Sequence, residues 1–88
     1  MSAEIFKIGK KYFIRSVTFS YVGELIEQDE KFLVFRKGSW IADTGRFHNA
    51  LRDGEFEEIE PFVEDLIVAK GAIVDATIWK HALPTEQK

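Results

Sequence analysis

His48 and His81 are the only imidazoles in a chain of 88 residues that has no cysteine. They stand far apart, with neither a thiolate nor an H-x-x-x-H partner, so the residue types predict no metal site. Ser16, Ser20 and Ser39 carry the hydroxyls best placed to be considered as nucleophiles. Each falls in a strand or at a strand edge, without the glycine pattern of a nucleophile elbow. The carboxylates of residues 55–65 could pair for general acid/base work, but acids clustered on a connector normally stay ionised and solvated. No glycine-rich phosphate loop is present. The expectation is a protein that is not an enzyme, with no catalytic residue, no cofactor, no metal and no small-molecule substrate.

The elements around these residues are read from composition and period. At 45% hydrophobic and 14% aromatic residues the chain has a globular composition, and its length predicts one domain over residues 1–88 with one core. Zero cysteines exclude a disulfide framework. No stretch reaches the roughly 18 apolar residues of a membrane span. Glu4, Lys7, Lys10 and Lys11 interrupt the start, which therefore lacks a signal peptide's apolar run, and a cytoplasmic protein is expected. The net charge is −3 and unevenly placed: residues 43–65 hold eight acids against Arg46 and Arg52, a net of −6, and the remainder is +3. An acidic segment thus masks a mildly basic body, which argues against broad binding to a nucleic-acid backbone.

Along the chain, residues 1–10 read as a polar lead-in anchored by Ile5, Phe6 and Ile8. A short β-rich run follows at 12–15, with a turn or bulge near Arg15-Ser16, and then a long strand at about 17–28. Val17, Phe19, Tyr21 and Leu25 share one face of that strand, with Gly23 in the same register. A glycine inside a strand marks a bend or a close backbone approach, as in strands that close small barrels. Residues 28–31 form a polar turn, in which Asp29 is expected to bond local backbone N–H groups. The second arm of the hairpin covers 32–41, with Phe32-Leu33-Val34-Phe35 buried on both faces or covered by a neighbour, and Gly38 as a second bend point. Between 42 and 65 the period changes. Thr44 is placed to cap a short helix carrying Phe47, Ala50 and Leu51, with Gly54 as its stop. The acidic stretch after it reads as an exposed connector pinned by Phe56, Ile59 and Phe62, outside the core. Two strands, 66–69 and 73–79, flank Lys70-Gly71, and the polar tail after His81 is expected to fray. Five strands with one connector insertion make an all-β class with a short helical segment, built as a small, strongly bent barrel.

The order of these signals resembles the Sm-like (LSm) family, to which the RNA chaperone Hfq belongs. Its first motif, roughly G-x-L-x-x-x-D-x-x-[aromatic or Met]-N-L, is matched by Gly23, Leu25, Asp29 and Phe32, with Leu33 at the family's Asn position. The second, an apolar strand ending in Ile-Arg-Gly before another apolar strand, is approached by residues 67–74, with Lys70 at the Arg position. The resemblance covers residues 12–79 and implies a five-stranded Sm-like or SH3-like barrel that assembles into a ring. It implies that Phe32, Lys70 and Gly71 are candidate RNA-binding residues and that Gly23 and Asp29 serve the structure. Leu33 cannot make the family's base contact. The alternative for Phe32 is a core residue, and for Lys70 a solvated turn residue.

Edge pairing predicts a homo-oligomer whose interface uses Leu66, Ile67, Val68, Ala69, Ile73, Val74, Ala76 and Ile78. Two functions follow. The first is a ring-forming structural or scaffold component, resembling divergent Sm-like proteins of phage origin, whose location would be the virion rather than the cytoplasm. The second is a module that holds single-stranded RNA at the ring pore.

Overall fold

The computed structural model describes residues 5–88. Its strands are β1 (Lys11–Ser16), β2 (Ser20–Gln28), β3 (Phe32–Asp43), β4 (Glu58–Pro61), β5 (Leu66–Ala69) and β6 (Ile73–Ile78), with one helix, α1 (Phe47–Asp53), between β3 and β4. The all-β class with a short helix is as expected. The strands number six because the acidic segment contributes β4. They form one antiparallel sheet in the order β4-β3-β2-β1-β6, with β5 also on β3. The sheet curls without closing into a barrel, since β6 pairs only with β1 and β5 only with β3.

The curl comes from glycine. The β2–β3 register shifts between Val22 and Glu24, around Gly23, and opposite it Lys37 takes a left-handed φ of 52°. An extra residue in one strand bends it and strengthens its twist. A Cβ on Gly23 would stand 2.9 Å from Phe35 Cβ and 3.2 Å from Gly38 Cα, so the two strands approach more closely there than a side chain permits. Beyond the bend β3 changes partners along one edge. Its first half, Phe32 to Phe35, pairs with β5, and Ser39 to Asp43 pairs with β4.

The long strand begins at Ser20 rather than Val17. The three residues before it are a turn tied by Ser16, whose Oγ accepts from the Phe19 N–H at 3.0 Å and donates to the Phe19 carbonyl at 2.8 Å. A bulge between Arg15 and Ser16 in the β1–β6 pairing lies where the sequence placed an irregularity.

One core was expected; the chain builds two. Tyr12, Ile14, Leu25, Leu33, Phe35, Leu66 and Val68 form the first. Phe13, Val22, Ile41, Ala50, Phe56, Ile59 and Trp79 form the second. Successive side chains of a strand point to opposite faces, so Phe13 between Tyr12 and Ile14 shows that β1 buries both of its faces. The second face is covered by the segment expected to lie outside the core. Ala50, Phe56 and Ile59 are 2%, 4% and 3% exposed, and Phe56 stacks on Trp79 with ring centroids 5.2 Å apart. The acids of that segment are exposed, and its apolar residues supply part of this core.

Gly54 stops α1 in the left-handed conformation at φ 77°, as expected, but Arg46 is the N-cap and makes no side-chain cap hydrogen bond. Thr44 instead donates to the Gly45 carbonyl at 2.9 Å. The tail is bound rather than frayed: Leu83 packs on the second core, and Lys88 exchanges two 2.9 Å backbone hydrogen bonds with Ile59. In the lead-in Phe6 alone is an anchor, edge-on to Tyr12 at 5.1 Å. Ile5 and Ile8 are exposed, and residues 1–4 lie outside those described.

Candidate functional site

Two turns meet at one end of the sheet. In the first, between β2 and β3, the Asp29 carboxylate accepts the Lys31 and Phe32 backbone N–H groups, each at 2.8 Å, and the Asp29 N–H donates to the Phe32 carbonyl at 3.0 Å. These backbone donors hold the Asp29 carboxyl below its ordinary value, with a smaller contribution from the nearby Lys70 charge. Asp29 therefore has the turn-forming role expected of it.

The second turn is one 3-10 turn, Lys70–Ala72, joining β5 to β6. The Lys70 N–H donates to the Lys31 carbonyl at 2.8 Å, and Phe32 is the cross-strand partner of Ala69. Antiparallel pairing of β3 with β5 thus brings Phe32 beside Lys70, 38 positions later in the chain. Phe32 is 43% exposed, so it is not a core residue. Alternation rather than two-sided burial governs the run it opens: Leu33 and Phe35 are buried, and Val34 is half-buried. Leu33 is fully buried in the first core, which removes it from the surface as well as lacking a polar group. Gly71 has open space where a Cβ would stand. Packing places no demand for glycine there.

An exposed phenyl ring with a lysine on the adjoining turn has the residue types to stack a base and neutralise a phosphate. Leu33, the next residue along β3, is aliphatic and buried, so it adds no polar group to that surface.

The residues named for an interface divide by face. Leu66 and Val68 point into the first core, at 8% and 6% exposure, while Ile67 on the other face is 64% exposed. Ala69 is exposed and Ile73 half-buried. On β6, Val74 and Ile78 are 65% and 58% exposed, and Ala76 between them is exposed too. Arg15 and Asp75 tie β6 to β1: the guanidinium Nε donates to the carboxylate at 2.8 Å, a second contact from Nη2 completes the fork, and the pairing lowers the Asp75 carboxyl.

His81 reaches the Leu51 carbonyl through Nε2 at 2.8 Å and packs edge-on to Trp79, a structural placement. Among the described residues no group of three or more His, Asp or Glu is arranged to hold a metal ion, and no helix is long and apolar enough to cross a membrane.

Sequence reasoning took Phe19, Tyr21 and Trp40 as strand pattern and Phe62 as a pin of the connector, although the structure gathers them on one surface and leaves Phe62 42% exposed. Their signal was the density of aromatic residues at positions not needed for the core. No protein-family model, curated protein or solved structure matches this chain.

Proposed function

We propose that the chain is a non-enzymatic, ring-forming Sm-like protein that serves as an oligomeric structural or scaffold component. The observation that carries this reading is the state of the sheet's edges. The β4 edge is engaged at Ile59 by Lys88 of the same chain, whereas β5 and β6 each have a partner on one side only. Both present exposed apolar side chains, Ile67 on one and Val74 and Ile78 on the other. An unprotected edge of that kind is a template for another strand. Pairing β5 of one copy with β6 of the next is a heterologous contact, which makes a ring when the rotation closes. Leu66 and Val68 would then contribute through their backbone, and Ile67, Ala69, Val74, Ala76 and Ile78 through their side chains.

Sedimentation equilibrium tests this directly. The expected result is a closed oligomer, and a 10.2 kDa monomer at micromolar concentration refutes it. Ile67→Lys and Ile78→Lys change only exposed side chains and should shift the population to monomer while leaving the fold intact.

The second reading, single-stranded RNA at the ring pore, is favoured by Phe32 and Lys70 standing together on the surface. Fluorescence anisotropy with labelled oligo(U) and oligo(A) at two salt concentrations separates the readings. Phosphate contacts make affinity fall steeply with salt. Binding lost in Phe32→Ala and in Lys70→Ala would support the RNA module, and no binding to the wild-type protein would dismiss it.

A further inference from the structure

On the face of β2, β3 and β4 opposite the second core, Tyr21 pairs across with Trp40 and Trp40 with Glu60, so the three side chains stand in a row. Phe19, from the turn before β2, and Phe62, just after β4, complete a cavity of about 320 Å³ whose remaining wall is Pro61. Phe62 is held there by its N–H, which donates to the Gly38 carbonyl at 2.8 Å. The rings stand steeply to one another. Phe19 and Trp40 are at 83° with centroids 5.4 Å apart, Phe19 and Tyr21 at 64°, and Tyr21 and Phe62 at 45°.

This arrangement differs from a base-stacking platform, which needs rings that can be covered in parallel by successive flat bases. Rings set at large angles form the walls of an open cleft that a compact object can enter. The only charge in the lining is the Glu60 carboxylate, and no basic residue lines the cavity. The ion pairs among the described residues use Asp75, Glu24 and Asp53, leaving Glu60 without a cationic partner. A phosphate would be repelled there. An organic cation would be attracted twice, by the negative faces of the rings and by the carboxylate, and methylation makes such a cation weakly hydrated and well matched to an aromatic enclosure. The volume lies at the lower end of those that take small ligands.

We propose that Phe19, Tyr21, Trp40 and Phe62, with Glu60, form a binding site for a methylated ammonium group. The group would enter among the four rings, its positive charge balanced by Glu60. This site lies outside the Phe32–Lys70 surface and does not depend on the assembly reading above.

The headgroup could be free, as in choline, or carried on a protein as trimethyllysine; the two are tested in parallel on the full-length protein. The chain has two tryptophans, and Trp79 is 2% exposed, so the two indole N–H signals in a proton–nitrogen correlation spectrum report the cavity and the core separately. Choline, N-acetyl-trimethyllysine amide and 3,3-dimethylbutan-1-ol, the neutral carbon isostere of choline, are titrated to about 10 mM, the range of weak single-site ligands. The expected result is a saturable shift of the Trp40 signal with at least one cation, at least about fivefold weaker with the neutral isostere, and an unmoved Trp79 signal. Comparable binding of both cations assigns recognition to the headgroup alone, and clear preference for the trimethyllysine amide assigns it to a protein-borne group; both support the site. No shift with either cation, or equal binding of the neutral isostere, overturns it. Trp40→Ala should abolish the cation response in a second readout, calorimetry. Should that variant not fold, Glu60→Gln, at an exposed position, must still weaken the cations several-fold and leave the isostere unchanged. Unaltered cation binding in Glu60→Gln would also refute the proposal.

Discussion

Substituting Gly23 with alanine tests the bend on which the rest of the sheet depends. The backbone at Gly23 is not in the left-handed region, so conformational strain is not the issue; space is. The new methyl carbon would lie 2.9 Å from Phe35 Cβ and 3.2 Å from Gly38 Cα. Ordinary contact between such carbons begins near 3.5 Å. Neither neighbour can rotate away, because one is the Cβ of the buried Phe35, fixed to its backbone, and the other is backbone itself. β2 and β3 must therefore separate by several tenths of an ångström where their register already shifts. Overpacking of this kind costs about 1–3 kcal/mol, and in a domain of this size each kcal/mol lowers the melting temperature by about 4–8 °C. Gly23→Ala should melt at least about 5 °C below the wild-type protein, and Gly23→Val lower still, even though valine has the better strand propensity. The comparison is Gly71→Ala, where a Cβ meets nothing within 4 Å; it should be neutral or stabilising by up to about 1 kcal/mol through the unfolded chain. Thermal melts followed by circular dichroism decide the matter. An unchanged or raised melting temperature in Gly23→Ala would refute the close approach and the bend with it.

Phe56→Ala should lose about 3–5 kcal/mol in chemical denaturation, because its ring packs against both Phe13 and Trp79; a loss below about 1 kcal/mol would mean the acidic segment is not a core element. Ser39→Ala should be neutral or stabilise by about 1 kcal/mol, since the buried Ser39 hydroxyl has no hydrogen-bond partner. Asp29, Asp53 and Asp75 all have lowered carboxyl pKa values in the fold, from the backbone donors at Lys31 and Phe32, from Arg52 and from Arg15 respectively. Their stabilisation is therefore complete above the unfolded value of about 3.9 and is lost as pH falls through the lower folded values. Melting temperature should drop across that acid range, and Asp29→Asn should make the drop shallower.

Local chemistry settled the parts of this protein that depend on neighbours in the chain. Asp29 makes the turn it was expected to make because its carboxylate meets the N–H groups two and three residues on, a contact that needs no tertiary partner. Gly54 ends α1 because glycine accepts a left-handed φ, and the β-rich run Tyr12-Phe13-Ile14 already marked β1 as a strand. Gly23 marked the bend for a different reason: a missing side chain in a strand signals crowding, here by Phe35 and Gly38 of the paired strand. Tertiary structure decided the rest. The acids between residues 43 and 65 outnumber its apolar residues, and a charge pattern cannot say that Phe56 and Ile59 point at Phe13 and Trp79, which come from the other ends of the chain. One domain-sized stretch of sequence does not reveal that β1 buries both faces, because that depends on α1 and the tail arriving on the far side. The tail itself looked polar, yet Leu83 and the Lys88 backbone bind it to the second core and to β4. Phe32 and Lys70 became neighbours through strand pairing, and Phe19, Tyr21, Trp40, Glu60 and Phe62 came together through register across three strands and the turns beside them. Contacts of that range follow from where the chain bends and what covers each face, and neither quantity is written in any single segment.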